Sequence, residues 1–192
     1  ACAAAPGAAK LARLRGADLG SIMAGNLDID ALTALVESGE IDTVLVCFPD
    51  MQGRLVGKRV TGRFFLDHGV HELHVCDYLL TVDMDMEPVP GYAAANWDTG
   101  YGDFAVRPDM TTLRRIPWLE ATALVLGDCI GADDAEVPHS PRAILKRQIA
   151  RADALGYTIM IGSELEFYIF DDSFEDAAEK RYADLKTTGR YI

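Results

Sequence analysis

The sequence predicts an α+β protein: a β-rich first part, then a helix that leads directly into a strand. Three observations carry this expectation. Apolar runs rich in β-forming residues, beginning with TVLVCF at 43–48, recur between turn signals as far as Cys129. SPRAILKRQIARADALG at 140–156 has helix signals at both ends, with Ser140 at the cap, Pro141 in the first turn and Gly156 past the last. IMIGSELEFYIF at 159–170 follows at once and reads as a buried strand.

The elements follow in order. Asp28 or Asp30 caps a short helix whose Leu32, Leu35 and Val36 recur at helical spacing and whose stop is Gly39. The run 43–48, the turn signal PDMQG and the returning RLVGKRV predict strand, turn and strand. HVCDYLLTVDMDMEP at 74–88 predicts a further strand, with Leu80, Val82, Met84 and Met86 on one face and Asp83 and Asp85 on the other. PVPGYAAANWDTGYGD at 88–103 is dense in Gly, Pro, Asn and Asp and is expected to be a loop. The stretch 102–130 supplies two or three short strands punctuated by Pro108 and Pro117. GADDAEVPHS at 131–140 is a linker, so residues 27–135 form the expected first domain and 136–192 the start of a second, of α/β character.

A chain of 192 residues suffices for one good core, or for a small domain plus part of another. The absence of an apolar run near the roughly 20 residues that span a bilayer argues against a membrane protein. A net charge of −12 repels a phosphate backbone and argues against nucleic acid. Cys2, Cys47, Cys76 and Cys129 are widely spaced without a C-x-x-C pair, which disfavours a disulfide framework and fits a reducing cytoplasm. Residues 1–26 are expected to be a flexible tail; their basic, acid-poor start at Lys10, Arg13 and Arg15 is also the composition of a transit peptide.

The segment 159–170 raises the chemical question. Alternation puts Glu164 and Glu166 on one face with Met160, Gly162, Tyr168 and Phe170, so both faces are largely apolar. Two carboxylates roughly 7 Å apart on a buried face repel one another and resist ionisation unless a cation compensates. A divalent metal, or two, resolves this; a solvent-facing edge strand with incidental glutamates is the other reading.

GSELEFYIF resembles the E-x-E strand of the glutamine synthetase family. FPDMQGRLVGKRV, GDFAVRPDMTTLRRIPW, LVLGDC and SPRAILKRQIARADALGY match in the family's order, over most of residues 27–170. The resemblance implies a β-grasp-like domain followed by the first helix and strand of the catalytic domain. It implies ATP-dependent ligation of an amine or ammonia to glutamate through γ-glutamyl phosphate, with Mg²⁺ or Mn²⁺ as cofactor. Glu164 would bind the metal beside the nucleotide phosphates, and Glu166 the metal beside glutamate and the amine. Asp50 takes the place of the Asp that reaches a neighbouring subunit and helps attract and deprotonate ammonium; the residues alone equally allow that Asp50 only favours the turn after Pro49. The implied assembly is a homo-oligomeric ring, a dodecamer by resemblance, with active sites between subunits.

Arg54 to Arg59 depart from the Lys-Glu-Gln-His type sequence usual in ammonia-using members and look more like the branch that takes larger amines, such as polyamines or ethanolamine. The family's remaining ligands are expected beyond Ile192, so the 192-residue chain alone is expected to be inactive. The alternative is a non-catalytic assembly or regulatory module derived from the family. GRLVGK lacks the spacing of a phosphate loop. His68, His71 and His74 read as a helix-surface run rather than a metal site, and Met84 and Met86 as core.

Overall fold

The computed structural model describes residues 26–98 and 100–189. The expected tail lies almost wholly outside these residues. By backbone contacts the chain divides into two compact units, one running to Gly156 and the other starting at Tyr157.

In the first unit, α1 (Ile29–Glu37) starts where the sequence places a cap: the Asp28 carboxylate accepts from the Ala31 amide at 2.8 Å. Its Leu32 is buried, with Leu35 and Val36 against the same core. The chain turns at Gly39, at φ +79°, into β1 (Thr43–Pro49), which returns antiparallel as β2 (Leu55–Thr61). A helical turn, α2 (Gly62–Phe64), runs on as a π-type turn over Phe65–Gly69. Then come β3 (Leu73–Cys76), β4 (Asp103–Pro108), β5 (Arg114–Arg115) and β6 (Thr122–Ile130).

The strands form one mixed sheet in the order β2-β1-β6-β4-β3, with β5 also on β6. β6 joins the two halves: Thr122 to Leu126 pair in parallel with β1, and Gly127 to Ile130 pair antiparallel with β4. The change of partner falls at Gly127, where a Cβ would sit 2.3 Å from Val106 Cγ1. Val44, Val46, Phe48, Phe104, Val106 and Val125 fill the core, and Phe48 meets Phe104 edge to face at 5.3 Å.

The expected strand over 74–88 is corrected. Only its beginning joins the sheet, in β3; Asp77–Leu80 is a 3-10 turn, and Val82 bridges back to Pro88 within the segment. Asp83 breaks the extended run because one of its carboxylate oxygens accepts from the Asp85 and Glu87 amides at 2.9 and 3.0 Å, and Met86 takes φ +66°. Leu80 and Val82 are buried as expected, whereas Met84 and Met86 are exposed. His68, His71 and His74 fall on the π-type turn, a loop and β3, so they share no helix face.

α3 (Pro141–Ala154) has Pro141 in its first turn and Gly156 at φ +81° after it. It belongs to the first compact unit. Its apolar side, Ile144, Leu145 and Ile149, is exposed.

In the second unit, residues 157–169 have neither ladder partner nor helical turn, and the expected buried strand is not formed. A bridge from Phe170 to Thr187 and a short helix, α4 (Phe174–Glu179), capped by Ser173, give this unit its structure. A strand needs a ladder partner for its backbone groups, and the described residues give 159–169 none; Thr188 Oγ1 donates to the Ile169 carbonyl at 3.3 Å.

Candidate active-site elements

The β1–β2 turn is the best-defined candidate. Asp50 is buried at the end of β1, and its carboxylate is enclosed by its own turn. Oδ1 accepts from the amides of Gln52 and Arg54, each at 2.9 Å, and Oδ2 accepts from Arg54 Nε at 2.7 Å. Burial pushes the Asp50 carboxyl up, but the Arg54 side chain, the two amides and the Arg54 charge outweigh it and hold the group below the ordinary aspartate value. The turn therefore carries a fixed, ionised carboxylate.

The hairpin that carries this turn depends on Gly57. Its φ is +155°, and a Cβ there would lie 2.0 Å from the Val46 carbonyl oxygen and 2.9 Å from Cys47 Cα. Only glycine lets β2 approach β1 this closely.

Glu164 and Glu166 lie in the exposed segment 157–169 of the second unit. No group of three or more His, Cys, Asp or Glu side chains among the described residues is arranged to hold a metal. The donor chemistry still suits a hard cation, since carboxylate oxygens are what Mg²⁺ or Mn²⁺ takes. Two carboxylates are part of a shell that wants about six oxygens.

A second charged cluster, at the start of α3, was not singled out from sequence. Arg142 bonds Asp128 through Nε at 2.7 Å and Asp109 through Nη2, while Lys146 bonds Asp128 at 2.9 Å and Glu136. Burial raises the Asp128 carboxyl, and the hydrogen bonds from Lys146 and Arg142 overcome this and lower it. With little apolar surface buried on α3, these pairs hold the helix to β6.

Residues 138–191 match the glutamine synthetase catalytic domain. Gamma-glutamylethanolamide synthetase of Streptomyces coelicolor is 50% identical over 166 residues, 86% of this chain and 36% of that protein. The chain is related to the glutamine synthetase family. It stands nearer the family's amine-ligase branch, as glutamate–isopropylamine ligase of a Pseudomonas species is also 34% identical over 139 residues, 72% of this chain and 30% of that protein. The chain thus spans about a third of the length of these curated relatives. The solved structure of apo GmaS without ligand superposes with a TM-score of 0.50 at 21% identity, over 79% of this chain and 36% of that one, and supports the fold alone.

Two functional candidates escaped the sequence reading. In the sequence Arg54 stands out only as a departure from the ammonia-using pattern; the usable signal is an Arg four residues after an Asp across a Gly turn, the reach of a local ion pair. Asp128 lies in LVLGDC, the one acid in an otherwise apolar strand end, and that isolation marks a paired charge.

Proposed function

We propose that the full-length protein is an ATP-dependent ligase that joins an amine to the γ-carboxylate of glutamate. The observation that carries this is the 50% identity over 166 residues to gamma-glutamylethanolamide synthetase. In this reading the γ-carboxylate of glutamate takes the γ-phosphoryl group of ATP, releasing ADP, and the amine then displaces phosphate to form the amide. The substrate is a primary amine larger than ammonia, consistent with the relatives' names and with the Arg54 to Arg59 sequence.

Residues 27–135 are read as a β-grasp-like domain and 136–192 as the start of the catalytic domain. Glu164 and Glu166 hold divalent metal, Mg²⁺ or Mn²⁺, together with ligands from elsewhere in the protein. Bound metal neutralises charge on the phosphate oxygens. Asp50 acts in the neighbouring subunit of a dodecameric ring, drawing in the cationic amine and accepting its proton. The turn gives this carboxylate three hydrogen bonds, two on Oδ1 and one on Oδ2, which leaves Oδ2 an acceptor site for the amine. A cytoplasmic location suits the ATP supply. No helix among the described residues is long and apolar enough to cross a membrane.

The experiment is Mn²⁺ titration by calorimetry on the full-length protein and its Glu166→Ala variant, alongside turnover. Loss of one binding event and a fall of roughly a hundredfold in kcat is expected, since the ion acts on the reacting groups. Unchanged binding and turnover would remove Glu166 from the metal site.

A further inference from the structure

The β1–β2 turn is bonded to a loop about thirty residues further along the chain. Arg54 donates through Nη1 to the Met84 carbonyl at 2.7 Å and through Nη2 to the Asp83 carbonyl at 2.9 Å, while its Nε holds Asp50 at 2.7 Å. Gln52 adds a third tie to the loop, from Nε2 to the Val82 carbonyl at 2.9 Å. The receiving loop is itself closed by the Asp83 carboxylate on the Asp85 and Glu87 amides. A residue needed only to balance Asp50 would require one contact, which a lysine could make. A rigid planar fork is required to address one carboxylate and two carbonyls in fixed directions at once.

We propose that Arg54 is a positioning residue for amine transfer, fixing the Asp50 carboxylate and locking the 82–87 loop to the β1–β2 turn so that both meet the amine as one element. This rests on the role given to Asp50 above. The hydrogen bonds of Arg54 all go to the turn and the loop, to Asp50, Gln52, Asp83 and Met84: it acts through Asp50 and through the loop it holds.

The test compares full-length wild type with Arg54→Ala and Arg54→Lys, varying ATP, glutamate and amine in turn and following amide exchange over residues 82–87. Arg54→Ala is expected to raise the KM for the amine roughly tenfold or more, with the other two KM values within about twofold, because displacing a positioned group penalises the step it serves. The Asp85 and Glu87 amides should exchange faster. Arg54→Lys should fall between, since it keeps the charge and loses the fork. Equal changes in all three KM values, a fall in kcat alone, or Arg54→Lys matching wild type in both readouts would overturn the proposal. A wild type that turns over no amine would overturn the ligase reading and this one with it; an active wild type with an indifferent Arg54→Ala overturns this one alone.

Discussion

β1 and the segment 159–169 are comparable as sequences and opposite as structures. Each is a mostly apolar run of strand length. β1 has a hydrogen-bonded neighbour on both sides, and its Val44 and Phe48 are completely buried. In 159–169, by contrast, Leu165 is 85% and Tyr168 90% exposed. An apolar run specifies that a segment is to be buried; the ladder partner has to come from elsewhere. α3 repeats the lesson in helical form, its ends marked by local signals and its apolar side left exposed.

The largest effect should appear in amide hydrogen exchange. In this chain, β1 amides should open only with global unfolding while those of 159–169 exchange at near-unprotected rates, a gap of several orders of magnitude. Equal protection would erase the contrast between the units.

Substitution should follow the same divide. Phe48→Ala should cost about 3–5 kcal/mol, and Gly57→Ala about 3 kcal/mol or more from the clash with β1. Leu165→Ala should stay within about 0.5 kcal/mol in this chain. Denaturant midpoints check all three, and a Leu165→Ala cost near that of Phe48→Ala would mean that 159–169 is packed after all.

Smaller effects concern charge. Arg142→Ala should destabilise the first unit by about 1–2 kcal/mol, between the values for surface and buried pairs, because it strips Asp109 and Asp128 of a shared partner. Asp50 and Asp128 both have lowered pKa values in the fold, so each contributes stability that is present above the unfolded carboxylate pKa and lost as pH falls through the folded one. The melting temperature should therefore hold near neutral pH and fall once the pH drops below about 4. Arg142→Ala should flatten that fall, and an unchanged acid profile would remove Asp128 from the account.

Much of the first unit was legible in the sequence because its signals are local. Asp28 as cap, Gly39 and Gly156 as stops, Pro141 in the first turn and the hairpin through 49–53 can all be read within a few residues. The strand expected over 74–88 failed at Asp83, whose carboxylate closes a turn that periodicity does not register. At the candidate site the turn that carries Asp50 was legible and the contacts around it were not. Asp50 sits on a turn, as its sequence context implies, whereas the carbonyls that receive the other end of Arg54 belong to a loop about thirty residues away. The pairing of Arg142 with Asp109 and Asp128 was equally invisible, since it joins α3 to residues on other elements.

The most direct test of the central claim is phosphate release by the full-length protein with ATP and glutamate, across ammonia, ethanolamine and isopropylamine. The account predicts release that requires glutamate and is fastest with one of the larger amines. No release with any amine, or release indifferent to glutamate, would contradict it.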